Sequence, residues 1–196
     1  NETGVALTGT DLEVEIVAYT YVDVEQPGEI TIPARKLADI WRALPEGSDV
    51  TLSVEGDRAT VRSGRSRFTL ATLPAVDFPK IEGGETDVVV SVAQADLRML
   101  IDGVGFAMAQ QDVRYFLNGM LFEVTEDHLR TVATDGHRLA LSTKGCSLES
   151  PIAERRQAIV PRKAVLELGR LLDEEDEDIR IQLGTNHLRV SKGAYT

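Results

Sequence analysis

The sequence predicts an α+β fold made of two tandem copies of one unit. Three patterns predict this fold. There is an internal repeat, there are short β-branched or alternating runs separated by glycine, aspartate and proline turns, and an amphipathic helix begins near a proline in each copy. We therefore expect antiparallel strands interrupted by helices, with two helices in a complete copy.

The repeated positions keep a nearly constant spacing over most of the chain. The matched segments are 33–44 with 161–172, 50–52 with 179–181, 61–63 with 190–192, and Thr10-Asp11 with Thr134-Asp135. The turn-rich stretch from Pro74 to Thr86 separates the copies, so we expect one domain at 1–86 and a second at 87–196. The first lacks the strand and helix that open the second, and the second stops before the strand that closes the first. We therefore expect a fragment of a longer chain.

The elements of the first copy follow from periodicity. Its helix is predicted at 33–44, because Leu37, Ile40, Trp41 and Leu44 recur at helical spacing after a proline whose missing N–H costs nothing there. Strands are predicted at 5–7, 12–16, 29–32, 50–54, 59–62 and 68–72.

The second copy repeats this order with an additional helix. Helices are predicted at 94–108 and 160–172, strands at 117–124, 129–133 and 138–142, and two more strands after the second helix. The six carboxylates at 173–178 lack the ligand spacing of a calcium loop and predict a solvated turn.

Composition excludes several classes of protein. The chain has one cysteine, so it cannot form an internal disulfide, and it has no apolar run long enough to span a bilayer. Its 196 residues include 21 basic and 32 acidic side chains, a net charge of −11 that argues against a surface coated with nucleic acid. We expect a cytoplasmic protein that needs no cofactor, with any nucleic-acid contact confined to a local basic face.

The two repeated helices supply such a face. Each carries three basic residues against one acidic residue. Arg35 and Arg42 lie two turns apart on one side of the first helix, and Lys163 and Arg170 occupy the matching positions of the second. Two interpretations remain open: an ordinary solvated helix surface, or a surface that follows phosphates without reading sequence.

Residues 134–139 are the second candidate site. Asp135 and His137 could form part of an acid/base pair, but the sequence offers no nucleophile beside them and no metal-ligand spacing. The Asp135-Gly136 pair is also typical of a tight turn between strands. A third interpretation is a ligand groove, because Leu117, Val132 and Leu139 would line neighbouring strands beside that turn.

Four motifs resemble one family, the beta sliding clamp of bacterial DNA polymerase III. They are IPARK at 32–36, RSGRSRF at 62–68, QDVRYFLNGMLFE at 111–123 and LRTVATDGHRLA at 129–140. The resemblance covers nearly the whole chain. It implies tandem clamp domains with sheets outside and helices inside, in which three domains per chain close as a head-to-tail homodimer around duplex DNA. It also implies that the third domain is absent from this sequence.

The resemblance assigns roles to individual residues. Arg35, Gln111, Tyr115 and Phe116 match positions that touch DNA, to which we add the basic-face residues Arg42, Lys163 and Arg170. The second domain's half of a peptide-binding groove is matched by Leu117, Thr134, Gly136, His137, Arg138 and Leu139. The implied partners are double-stranded DNA, the polymerase III core, the clamp loader and other proteins that carry clamp-binding peptides. The implied function is a non-enzymatic processivity factor; the alternatives are an interaction module that never meets DNA and a hydrolase that uses Asp135 and His137.

Overall fold

The first unit is a set of small antiparallel sheets around one helix. The computed structural model describes residues 4–81, 86–172, 177–184 and 187–196. β1 (Val5–Thr10) and β2 (Glu15–Thr20) form a hairpin, β3 (Ile30–Thr31) pairs with β7 (Leu73–Pro74), and β4 (Thr51–Glu55), β5 (Arg58–Ser63) and β6 (Ser66–Ala71) form a three-stranded sheet. The helix α1 (Ala34–Ala43) lies between β3 and β4.

The second unit contains two four-stranded antiparallel sheets and two helices. Its strands are β8 (Thr86–Ala93), β9 (Gly119–Val124), β10 (His128–Thr134), β11 (Leu139–Gly145), β12 (Ser147–Leu148), β13 (Arg156–Pro161), β14 (Asp178–Gly184) and β15 (Leu188–Ser191). One sheet has the order β11-β10-β9-β13 and the other β12-β8-β14-β15. The helices α2 (Gln94–Gly105) and α3 (Arg162–Leu171) pack against each other and on the sheets. The α+β prediction is confirmed.

The apolar core is concentrated in the second unit. Phe122, Leu97, Leu100 and Leu129 are fully buried there, together with the β8 and β14 side chains that face the helices. The buried core of the first unit is small: among its described residues Ile40, Val61 and Leu70 form one buried cluster, and Ala59 is also buried.

Repeated positions are covered differently in the two units. Leu52 and Val54 on β4 are 45% and 44% exposed, whereas the matching Ile181 and Leu183 on β14 are buried. In the second unit β8 pairs with β14. Within the described residues of the first unit, β4 pairs only with β5 and its other edge is open. The first unit therefore leaves apolar surface uncovered that its repeat buries.

Several predicted element boundaries are wrong for local reasons. Residues 12–14 form a turn instead of the start of a strand, because the Asp11 carboxylate accepts the N–H groups of Glu13 and Val14, and Leu12 has a φ of +76°. Residues 160–161 belong to β13, so α3 begins one residue after Pro161. The helix predicted at 94–108 ends at Gly105.

Other sequence predictions were incomplete. Leu117 lies in a single 3-10 turn before β9, and the strands β12 and β13 were not predicted. The strand expected to open the second copy, for which no bounds were predicted, is β8. Of the acidic turn predicted at 173–178, residues 173–176 lie outside the described residues, as do residues 82–85 of the predicted boundary.

The two units are joined by backbone hydrogen bonds between strands. Val17 and Thr196 exchange two, with N···O distances of 2.7 and 2.9 Å, and the N–H of Tyr19 donates to the carbonyl of Ala194 at 2.9 Å. An ion pair between Lys163 and Asp11 and a hydrogen bond from the N–H of Ile81 to the Glu15 carboxylate lie in the same region. The outer edge of β2 thus receives the last strand segment of the second unit.

Candidate nucleic-acid interface and groove

The helices α1 and α3 begin in the same way. Each follows a proline, has no side-chain cap, and has no acidic residue in its first turn. The N-terminus of a helix carries a partial positive charge, so basic residues in the first turn add to a field that favours an anion. The sequence places Arg35 and Lys163 there, where a positive charge is unfavourable for the helix dipole.

The last-turn arginines are paired within their own helices. Arg42 contacts Asp39 at 3.1 Å and Arg170 contacts Glu167 at 2.5 Å, and the two pairs occupy repeated positions. All four side chains are at least partly exposed, so these pairs contribute little to stability. Their geometry orients the guanidinium groups while leaving them accessible.

The two first-turn cations differ. Arg35 is exposed and makes no ion pair with any residue in the described ranges. Lys163 is ion-paired with Asp11 in the turn between β1 and β2. The charge of Arg35 is therefore available to bind an anion, whereas the charge of Lys163 is partly balanced by an ion pair that joins the two units.

The segment between α2 and β9 presents the other predicted DNA-contacting residues. Gln111 is exposed and has a φ of +58°, in the left-handed region. Tyr115 and Phe116 are 83% and 49% exposed and meet edge to face, with ring centroids 5.9 Å apart. Two exposed aromatic rings beside a polar side chain can stack on bases or pack on sugars.

Hydrogen bonds within this segment fix its shape. The Asn118 side chain accepts the N–H of Asp112 at 2.9 Å and donates to the Asp112 carbonyl at 2.8 Å. The N–H of Ala109 donates to the carbonyl of Leu117 at 3.0 Å, and Leu117 itself is buried. Gln111, Tyr115 and Phe116 therefore lie on a closed loop, which the Asn118 side chain closes by its two hydrogen bonds to Asp112.

The turn between β10 and β11 is organised by Asp135. Its Oδ1 accepts the backbone N–H groups of His137 and Arg138, each at 3.0 Å, and its Oδ2 accepts Nε of Arg138 at 3.0 Å. Chiefly because of the backbone hydrogen bonds, the pKa of Asp135 falls to about 2. A carboxylate held in this way is a weak base. The turn interpretation is supported, and the acid/base pair considered for Asp135 and His137 is not.

Thr134 and Gly136 complete the turn. The Thr134 hydroxyl donates to the carbonyl of Arg138 at 2.7 Å and accepts the N–H of Gly136 at 3.1 Å. Gly136 has a φ of +88°, which favours glycine. After the turn, Leu139 projects with 62% of its surface exposed.

The structure brings the two candidate sites together. An open depression of about 440 Å³ is lined by residues from both, namely Phe106, Met108, Ala109, Gln110, Gln111, Asp112, Asp135, His137 and Arg138. The Arg138 guanidinium lies over the Phe106 ring at 5.4 Å. Sequence reasoning missed Phe106, Asp112 and Arg114, although the acid and base two residues apart in Asp112-Val113-Arg114 were a usable signal.

The part of the chain that the structure describes contains no cluster of three or more side chains suited to hold a metal ion. Nor does any helix in that part have the length and apolar character needed to cross a membrane.

Known proteins resemble this chain over most of its length. Two family models match, "DNA polymerase III beta subunit, N-terminal domain" over residues 1–82 and "DNA polymerase III beta subunit, central domain" over residues 91–196. A protein named Beta sliding clamp from Pseudomonas aeruginosa is 54% identical over 194 residues, covering 97% of this chain and 52% of the relative. The Beta sliding clamp of Escherichia coli K12 is 50% identical, with 97% and 51% covered.

A solved structure shows the same likeness. The crystal structure of a DNA polymerase sliding clamp from Pseudomonas aeruginosa with ligand superposes with a TM-score of 0.94 at 52% identity, over 100% of this chain and 53% of that one. The chain therefore spans about half the length of the relatives it matches. Sequence motifs, fold and relatives agree that the chain belongs to the DNA polymerase III beta subunit family.

Proposed function

We propose that this chain is part of a bacterial DNA sliding clamp that acts in the cytoplasm. In this proposal residues 1–86 are most of a first clamp domain and residues 87–196 most of a second, with a third domain outside this sequence. The full-length protein is a homodimeric ring without catalytic activity, which encircles duplex DNA and holds a replicative polymerase to its template.

The observation that carries the proposal is the strand pairing between the units. β2 of the first unit accepts residues 194–196 of the second along its outer edge. By the internal repeat, β2 matches β11, and residues 194–196 match the start of β6. The matching turns before those strands contain Gly64 and Gly193, with φ of +54° and +50°.

Both matching strand edges are available for further pairing. Among the described residues, β11 is the terminal strand of its sheet, and β6 is a terminal strand of the first unit's three-stranded sheet. A following unit would therefore dock on β11 as the second docks on β2, and a preceding unit would dock on β6. A head-to-tail contact of this kind generates a closed ring when the rotation between units closes.

The charge distribution fits a ring held in place by topology. The chain is acidic overall, with a net charge of −11, yet repeated helices carry basic first turns. A closed ring needs little affinity for phosphates, and many tight contacts would make sliding strongly salt-dependent. Arg35, Arg42, Lys163 and Arg170, with Gln111, Tyr115 and Phe116, are the proposed DNA-facing residues.

The β10–β11 turn supplies half of the proposed partner site. Leu117, Thr134, Gly136, His137, Arg138 and Leu139 would receive short peptides of the polymerase, the clamp loader and repair proteins. His137→Ala or Leu139→Asp in the full-length protein should weaken binding of a fluorescent clamp-binding peptide, and unchanged binding would reject this assignment.

Mass and topology test the ring directly. Light scattering should show a dimer for the full-length protein, and after loading it should stay on circular DNA and leave linearised DNA through the ends. A monomer whose retention is the same on circles and linear DNA would reject the ring and favour an interaction module. Turnover that depends on His137 would favour the hydrolase instead.

A further inference from the structure

The segment that carries the proposed DNA contacts meets the turn of the proposed peptide groove at two places: Arg138 lies over the Phe106 ring, and Arg114 lies beside Gly136. A β-carbon at Gly136 would lie 3.1 Å from Nη2, 3.5 Å from Nη1 and 3.7 Å from Cζ of Arg114. The guanidinium therefore lies against the backbone of the turn, beside Gly136.

Asp112, which lies on the closed loop with the proposed DNA contacts, holds the Arg114 side chain in place. The carboxylate accepts Nε at 3.0 Å and Nη2 at 2.9 Å, and it also accepts the backbone N–H of Arg114 at 2.8 Å. A two-point fork of this kind fixes the plane of the guanidinium as well as its position. The hydrogen bonds from Arg114 also lower the pKa of Asp112 to about 2, so the carboxylate keeps its charge under acidic conditions in which an ordinary aspartate is protonated.

The anchoring of Asp112 extends the connection to the DNA-contacting residues. Asn118 binds both backbone groups of Asp112, and Gln111, Tyr115 and Phe116 lie on the same closed loop. A displacement of this loop would therefore move Arg114, the side chain that lies against the turn at Gly136.

We propose that Arg114 is a positioning residue that couples DNA binding to peptide binding, by joining the Asp112 loop to the Gly136 turn. The inference rests on the proposed function and deepens it. DNA inside the ring contacts Gln111, Tyr115 and Phe116 and favours the loop arrangement in which Arg114 lies against the Gly136 turn, and the peptide favours the same arrangement. Peptide binding is tighter on DNA as a result, and by linkage the peptide favours the DNA-bound loop by the same factor.

The test measures the affinity of a labelled clamp-binding peptide for the full-length protein in two states, free and loaded on nicked circular DNA. The ratio of the two dissociation constants is the readout, because a general loss of stability or of groove contacts affects both states alike. We expect binding at least about fivefold tighter on DNA for the unaltered protein. In Arg114→Gln and Asp112→Asn we expect a ratio close to one.

Arg180→Gln is the matched control. Arg180 forms the same kind of fork with Glu149, with Nε···Oε1 at 2.6 Å and Nη2···Oε2 at 3.0 Å, and its side chain is 46% exposed against 52% for Arg114. It lies on β14, outside both candidate sites, so this variant should keep the ratio of the unaltered protein.

The outcomes separate the inference from the proposed function. Suppose that the unaltered protein stays on circular DNA and binds the peptide equally well with and without DNA, or that Arg114→Gln keeps the tighter binding on DNA. Either result would overturn the coupling and leave the clamp function standing. A protein that neither stays on circles nor binds the peptide overturns both. Loss of the ratio in Arg180→Gln as well would also reject a specific role for Arg114.

Discussion

Gln111 holds a backbone conformation that disfavours its own side chain. Its φ of +58° lies in the left-handed region, where a residue with a β-carbon is strained by about 1–2 kcal/mol. Such strain is often found at functional sites, where surrounding contacts impose it. Here those contacts are the Asn118 and Asp112 hydrogen bonds that close the loop.

Substitution at Gln111 should separate strain from function. Gln111→Gly and Gln111→Ala both remove the amide and should weaken DNA binding by the full-length protein equally. The glycine variant should be more stable than the alanine variant by about 1 kcal/mol, because glycine adopts positive φ without strain. Thermal or urea unfolding measures the difference, and equal stabilities would show that the loop relaxes on its own.

The hydrogen bonds of Asp135 determine how the turn between β10 and β11 responds to acid. The Asp135 pKa of about 2 in the folded chain lies below the ordinary aspartate value of 3.8, so its contribution to stability is present at neutral pH. As pH falls through 3.8 and towards 2, the carboxyl takes up a proton and the contribution is lost. An NMR titration of the Asp135 carboxyl should have its midpoint near 2, and a midpoint near 4 would mean that the turn is not held by the carboxylate.

Among the secondary-structure elements, β4 and β14 occupy repeated positions in different surroundings. Both alternate apolar and polar side chains, so their sequences predict strands equally well. Only β14 has a strand on both sides, supplied by β8 and β15. Burial here depends on the neighbouring element and not on the strand's own pattern.

Paired substitutions should reveal this difference in the 196-residue chain. Ile181→Ala should cost about 2–5 kcal/mol of unfolding free energy, because its side chain is fully buried. Leu52→Ala should cost less than about 1 kcal/mol, because the matching side chain is 45% exposed. Chemical denaturation compares the two. Similar losses would mean that the first unit buries Leu52 in solution.

The success of sequence reasoning varied by element for physical reasons. The helices α1 and α3 were predicted within two residues because both combine a proline start with a strong apolar period. The strand predicted at 12–16 was misplaced because one carboxylate, Asp11, captures two backbone N–H groups. β13 was missed because it ends at Pro161 and α3 begins at the next residue, so that no turn marks the end of the strand.

The candidate sites show a similar limit. Sequence reasoning identified the loop at Gln111 and the turn at His137, and treated them as separate sites. Their common depression and the contact of Arg114 with Gly136 depend on how α2, β9 and β10 pack, which no short motif records. The fork between Asp112 and Arg114 is local in sequence, but its role is visible only in the fold.

At the scale of the whole molecule, repeated cations have different electrostatic partners. Arg35→Gln should reduce the salt dependence of DNA binding by the full-length protein, by about one unit in the slope of log affinity against log salt. Lys163→Gln should reduce it less, because Asp11 already balances the Lys163 charge. Fluorescence anisotropy with short duplex DNA over a salt series gives both slopes. Equal reductions would indicate that the Lys163–Asp11 pair opens when DNA binds.

The pairing of β2 with residues 194–196 also governs the order of events during synthesis. The β1–β2 hairpin is local and can form early, whereas Val17 must wait for Thr196, which emerges from the ribosome much later. Until then the outer edge of β2 is an unpaired strand edge, open to the wrong partner. While the second unit is being translated, the nascent chain would therefore expose the unpaired outer edge of β2. Chaperones should bind the nascent chain mainly during that interval of translation.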